Sequence, residues 1–160
     1  MKKILISACL LGDKVRYDGK DSLSQHPMLK CWAQEGRLVK ICHEMAGGLP
    51  SPRAASEIQG SGGGVAILKN TAKVITDHDD VTEQYVAGAQ KALLLAKQHH
   101  IKIAILKARS PSCGNKQIYD GTHGRKLVDG MGVTAALLKQ NGISVFNEDE
   151  IELASLYLNH

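Results

Sequence analysis

The sequence is poor in large aromatic side chains, with one Phe, one Trp and four Tyr in 160 residues. Leu, Ile, Val and Ala must therefore fill its core. It has no apolar run long enough to span a bilayer, since the longest candidates are strand-sized. Met1-Lys2-Lys3 precedes an apolar stretch, but Gly12-Asp13-Lys14 cuts that stretch short, so the start reads as a strand and not as a signal peptide. Neither sign of charge dominates: 20 basic against 16 acidic residues leave +4. That excess is compatible with an anionic ligand and too weak to argue for nucleic acid. The glycine-rich stretch from Gly60 to Gly64 lacks a Lys-Ser/Thr end and a preceding strand, which argues against a phosphate-binding loop. The seven His residues show no metal-like spacing, and the four cysteines lack the local spacings of ferredoxins. Without an export signal, those cysteines are expected to be reduced thiols in the cytoplasm, serving metal binding, catalysis or burial.

What is present alternates between strand-like and helix-like segments. Residues 3–8 form a short apolar run that reads as a buried strand, and residues 24–35 read as a helix carrying Met28, Cys31 and Trp32. A second strand is expected at 38–42, followed by a long Gly/Pro/Ser-rich loop over 43–64, and such loops tend to be functional. Two β-like runs at 65–68 and 73–76 suggest a hairpin across Asn70-Thr71. The strongest helix covers 81–99, with a stripe of Val86, Ala89, Leu93 and Ala96. A strand at Ile103–Leu106, a Gly/Ser/Pro segment over 109–120, a helix at Val133–Gln140, a strand at 143–146 and a helix at 149–158 complete the pattern. This alternation predicts a Rossmann-like α/β fold. Residues 1–160 would form one domain, a mostly parallel sheet with helices on both faces in three layers.

In such folds ligands bind at the carboxyl ends of the strands, near the switch in strand order. Cys9 ends the first strand, Cys42 ends the second, and Cys113 lies in the loop after Ile103–Leu106. These three thiols are expected at one crevice. Cys31 shares a helix with Met28 and Trp32 and is expected in the core. Three thiolates leave one position open on a four-iron cluster or on a zinc ion, and spacing does not choose between them. A third reading makes Cys113 a nucleophile activated by a base such as His123.

Polar residues surround the thiols. Glu44 lies two residues after Cys42 and is placed to move protons to and from water. Arg53 is positioned to bind an anion, or to fix Glu44 or Glu57 through a bidentate pair. In Ser110-Pro111-Ser112-Cys113-Gly114, two hydroxyls flank a thiol, although Ser, Pro and Gly also make ordinary turns.

Several of these motifs occur together and in one order. They are Ser7-Ala8-Cys9-Leu10-Leu11-Gly12, Arg16-Tyr17-Asp18-Gly19, Cys42-His43-Glu44, Gly47-Gly48-Leu49-Pro50, Pro52-Arg53 and Asp80-Val81-Thr82. Leu106-Lys107, Ser110-Pro111-Ser112-Cys113-Gly114, Tyr119-Asp120-Gly121 and Gly132-Val133-Thr134-Ala135 follow. Together they cover nearly the whole chain and resemble the short bacterial domain family that contains the thiouracil desulfidases. The chain departs from that pattern at His43, where the family usually has proline. The resemblance implies a 4Fe-4S cluster held by Cys9, Cys42 and Cys113, with one iron not ligated by protein and open to the thiocarbonyl sulfur of the substrate. It implies Glu44 as the acid/base, with Ser110 and Ser112 as the next candidates, and it leaves Cys31 outside the site. The implied reaction is non-redox conversion of a thiolated pyrimidine base or nucleoside to its oxygen counterpart plus sulfide. A related domain fused to a second domain acts on thiolated transfer RNA, so the lack of such a fusion favours a small-molecule substrate. The competing readings are a zinc- or cysteine-dependent hydrolase of a small ring, and a non-enzymatic iron–sulfur sensor or carrier.

Overall fold

A computed structural model describes residues 1–159. The chain opens with β1 (Ile4–Ser7), a 3-10 turn at Ala8–Leu11, α1 (Pro27–Gln34), β2 (Leu38–Ile41) and α2 (His43–Ala46). Next come β3 (Glu57–Gln59), α3 (Gly63–Leu68), β4 (Lys73–Ile75), α4 (Thr82–Gln98) and β5 (Ile103–Leu106). The last third holds β6 (Gln117–Tyr119), β7 (Leu127–Asp129), α5 (Val133–Gln140), β8 (Ser144–Asn147) and α6 (Ile151–Leu158).

Four strands form a parallel sheet in the order β2-β1-β5-β8. The central strands β1 and β5 are buried along their whole length, which is why both read as unbroken apolar runs. Alternate side chains point to opposite faces. Ile4, Ile6, Ile103 and Ile105 pack with Leu29 and Trp32 of α1 and with Ile151, Ala154 and Leu158 of α6. Leu5, Ala104 and Leu106 pack on the other face with Ala92 and Ala96 of α4 and Ala135 and Leu138 of α5. The result is the expected helix–sheet–helix sandwich, filled by aliphatic side chains.

A third cluster lies beyond the strand ends. It joins Ile58, Ile67, Val74, Tyr85, Ala89, Ile118 and Val133, and so ties the antiparallel pair β3–β4 and helix α3 to α4, α5 and β6. Here the structure corrects two expectations. Residues 65–68 are helical, not a strand, and β4 pairs back with β3 instead. The 43–64 segment is not structureless, because it carries α2 and β3. Cys31 is also corrected: it is exposed. The buried face of α1 runs through Leu29 and Trp32, and Cys31 turns away from it.

Two close helix contacts fix the elements near the strand ends. A Cβ on Gly47 would stand 1.8 Å from the Gln84 carbonyl oxygen, and one on Gly88 would stand 1.9 Å from the His43 oxygen. α2 and α4 therefore touch backbone to backbone. Lys91 of α4 adds a donor to the Ala46 carbonyl at 2.7 Å, satisfying an orphan acceptor at the end of α2.

Candidate active site

The connection from β1 leads to β2 on one side, whereas the connection from β5 leads to β8 on the other. This switch in direction opens a crevice at the carboxyl ends of β1 and β5. A cavity of roughly 680 Å³ occupies it. Cys9 reaches it from the 3-10 turn after β1, Cys42 from the N-cap of α2, and Cys113 from the turn after β5. The structure thus brings three thiols from three strand ends to one cavity.

Burial disfavours the thiolate form at two of them. It pushes Cys9 up to about 11, against the pull of the Lys107 ammonium. Burial also pushes Cys113 well up, and the Glu44 carboxylate adds to the effect. The Ser7 hydroxyl opposes it by donating to Cys113 Sγ at 3.7 Å. Cys42 Sγ lies 3.6 Å from the Val15 carbonyl oxygen.

The donor set fits an iron–sulfur cluster: three soft sulfurs lie around an open cavity, which suits iron. Among the described residues, no three His, Cys, Asp or Glu side chains gather as one metal ion requires. A cluster takes each thiolate on a different iron, whereas a single zinc needs every ligand within ~2.3 Å of one point.

Glu44 lines the same cavity and is tightly held. Tyr85 donates its hydroxyl to Glu44 Oε1 at 2.5 Å, while Arg53 donates to Oε2 through Nε at 3.0 Å and through Nη2. Arg53 is itself oriented by the Val15 and Pro50 carbonyls at 3.0 and 2.9 Å. The Arg53 and Glu44 side chains are only 6% and 14% exposed, so removing either would strand a buried charge. Burial and the Glu44 carboxylate together raise Tyr85 well above its ordinary value, so it stays a hydrogen-bond donor. Of the two carboxylates weighed for Arg53, the structure pairs it with Glu44. Glu57 instead accepts from the Gly121 amide at 3.0 Å and faces His123 at 4.0 Å.

The two serines of the Cys113 loop part company. Ser110 lines the cavity, and its oxygen accepts from the Ser112 and Cys113 amides at 3.0 and 3.1 Å. Ser112 is 1% exposed, and its hydroxyl meets that of Thr134 at 2.9 Å on α5. Its carbonyl accepts from the Thr134 amide, and a Cβ on Gly132 would stand 2.4 Å from its carbonyl carbon. Ser112 is thereby a clamp between the loop and α5, and the structure does not bring it to the cavity. His123 lines the cavity from the β6–β7 loop.

The residue pattern by itself gives no role to Ser7, Tyr85 or Lys107. Lys107 lines the cavity and holds Glu148 at 2.6 Å. Nothing in the spacing marks Tyr85, which sits inside a regular amphipathic helix. Arg16, Arg109 and Arg125 complete a basic rim.

His43 is a separate case. Burial pushes its imidazole down to about 4, leaving it neutral, and neither ring nitrogen has a hydrogen-bond partner.

The family model described as 2-thiouracil desulfurase matches residues 4–150. The uncharacterized protein YbbK of Bacillus subtilis (strain 168) is 44% identical over 149 residues, which cover 92% of this chain and 97% of that protein. A solved structure of TudS, a 4Fe-4S-dependent thiouracil desulfidase, matches with a TM-score of 0.91 and 41% identity over 99% of each chain.

Proposed function

Because the chain belongs to the 2-thiouracil desulfurase family, we propose that it is an enzyme that removes sulfur from a thiolated pyrimidine, using a 4Fe-4S cluster held by Cys9, Cys42 and Cys113. The observation that carries this reading is the convergence of three thiols and one clamped carboxylate on a single cavity. The likeness to TudS supports the choice of cluster.

When bound, the cluster would supply a Lewis-acidic iron without a protein ligand, open to the thiocarbonyl sulfur of the substrate. Glu44 takes a proton from a water that attacks the ring carbon, the C–S bond breaks as the C=O bond forms, and the protons of the water leave with the sulfur as hydrogen sulfide. A carboxylate has about four lone-pair sites, and Tyr85 and Arg53 fill three of them. One site remains for a water, and the other three bonds fix where that water stands. Ser110 spends its lone pairs on two backbone amides, which leaves its O–H as a donor toward the ring in the cavity. Lys107 sets a positive charge beside Cys9, which favours negative charge on sulfur there. No side chain in this scheme gains or loses an electron, so no reductase is needed.

The test is anaerobic reconstitution with iron and sulfide, followed by an assay for sulfide release from 2-thiouracil, 4-thiouracil and 4-thiouridine. Release from at least one of these without added reductant is expected. A loaded protein inert toward all three would overturn the reading. Glu44→Gln tests the assignment of the base, because the amide keeps the shape but cannot accept the proton. Sulfide release per bound cluster should fall ~100- to 10,000-fold, whatever the amide costs in stability by leaving the Arg53 charge unpaired. A ratio near one would remove Glu44 from the reaction and leave Ser110 as the group to examine.

A further inference from the structure

Among the described residues, Cys113 alone of the three cavity thiols has a side-chain hydroxyl aimed at its sulfur. The hydroxyl belongs to Ser7, the last residue of β1, which is 3% exposed. The register of β1 with β5 ends at the pair Ile6–Ile105. One step further on, the Lys107 amide has no strand partner and donates instead to Ser7 Oγ at 3.0 Å. The serine side chain therefore continues the ladder by one bond. With the Lys107 amide on its oxygen, the hydroxyl directs its own proton at Cys113 Sγ, 3.7 Å away. Ser7 and Cys113 are both buried, at 3% and 6% exposure, so little water competes for this contact.

We propose that Ser7 is a positioning residue for the cluster: its hydroxyl, locked in place by β5, donates to the Cys113 sulfur and draws electron density off that ligand. This rests on the cluster reading given above. Hydrogen bonds to cluster sulfurs raise the reduction potential, and groups that orient a metal ligand commonly change affinity or activity by ~10- to 100-fold. Charge drawn off one thiolate lowers the electron density of the whole cluster, and so leaves the iron without a protein ligand a stronger Lewis acid toward a thiocarbonyl. Ser7 thus links strand pairing in the sheet to the electrophilic power of the site. It does so on one ligand of three, which makes the cluster environment asymmetric.

The experiment compares reconstituted wild type, Ser7→Ala and Ser7→Thr under anaerobic conditions. Ser7→Ala should bind iron but show a more negative cluster midpoint potential, with sulfide release per cluster down roughly tenfold or more. Ser7→Thr, which keeps the hydroxyl, should restore both. A purely structural serine would lower the melting temperature in Ser7→Ala without moving the potential, and that outcome overturns the inference. Should Ser7→Ala not fold, the wild-type holoprotein gives the answer by resonance Raman. Transfer to D2O must shift an iron–cysteine stretching frequency, and the absence of any shift overturns the proposal. A wild-type chain that takes up no iron would overturn this inference and the cluster reading together, whereas a normal cluster with an unmoved potential defeats this inference alone.

Discussion

One wall of the cavity is built from the ends of β1, β2 and β5, the other from short antiparallel pairs and the loops around them, and the two hold their side chains by different means. On the first wall, Ser7, Cys9, Cys42 and Lys107 lie in or just after strands whose neighbours are fixed by the sheet, and Cys113 sits in the loop after β5 that α5 clamps. On the second, Glu57, Tyr119, His123 and Arg125 sit on or near strands of only three residues. Three of the five described non-glycine residues with positive φ belong to this rim, namely Arg109, His123 and Arg125. Such conformations cost of order 1–3 kcal/mol each and persist only where the surroundings enforce them. The sheet wall is thus preformed by regular structure, while the rim is held locally. The Glu44–Arg53–Tyr85 clamp stands at the seam between them.

If the comparison holds, the largest effects should come from the sheet wall and should read out as iron. Cys42→Ser should abolish cluster retention, whereas Cys31→Ser, exposed on α1, should bind iron and turn over like wild type. Iron and acid-labile sulfide per chain, measured after anaerobic reconstitution, check this. Equal loss in both variants would break the assignment of the ligands.

The seam comes next. Gly88→Ala would drive a methyl group into the His43 carbonyl, and two backbones must separate to admit it. Overpacking at such a contact costs on the order of 3 kcal/mol. For a chain of this size that is a fall of roughly 6–12 °C in Tm. Because α2 carries Cys42 at its N-cap and Glu44 in its first turn, the same variant should lose iron affinity and rate together. A normal Tm by calorimetry would show that α2 is free to shift.

A smaller effect concerns acid stability of the sheet wall. Burial alone would push the Glu150 carboxyl up, but Asn115, Lys116 and the Asn147 amide more than reverse this, so it lies below its ordinary value. A carboxyl depressed on folding contributes stability that is fully present above its unfolded pKa. That stability is lost as pH falls through the folded value. Glu150 ties the segment after Cys113 to the start of α6, so Glu150→Gln should weaken the protein near neutrality and flatten the loss of stability below about pH 4.5. Urea midpoints measured between pH 7 and pH 3 would show it, and an unchanged acid limb would count against the tie.

These two walls were also unequally legible in the sequence. β1 and β5 stood out because central parallel strands are apolar throughout, and the thiols at their ends followed from the rule for strand ends. The rim did not stand out. Val128 and Asp129 of β7 are exposed, so that strand shows no buried alternation. Helix α3 looked like a strand because four successive apolar residues fit either structure. Its start at Gly62-Gly63-Gly64 makes sense only once the backbone of Met131 and Gly132 is seen packed against it. The helical period points to Val86, Ala89, Leu93 and Ala96 as the stripe on α4. The buried residues are Tyr85, Gly88, Ala89, Ala92 and Ala96, because α2 lies against Gly88 and covers that side of the helix. The same contact sets α2, with Glu44 in its first turn, within reach of Tyr85.

The smallest expected effect lies at His43, and it runs toward greater stability. The imidazole is 3% exposed with neither ring nitrogen bonded. A buried polar group without a partner costs about 1–3 kcal/mol. The position is otherwise ready for proline. His43 is the first residue of α2, where an amide has no intrahelical acceptor and a fixed φ is favourable. Cys42 before it is extended, at φ −102 and ψ 109, as a residue preceding proline must be. The His43 carbonyl, which accepts from Gly47 at 3.0 Å, survives the exchange. The smaller ring leaves some space unfilled and offsets part of the gain. His43→Pro should therefore stabilise the protein by about 1 kcal/mol, or roughly 2–4 °C in Tm, with iron content and rate per cluster unchanged. A fall in Tm would show that the imidazole fills space that α2 needs in order to stay against α4. It would place His43 with Gly47 and Gly88 among the residues that hold the seam.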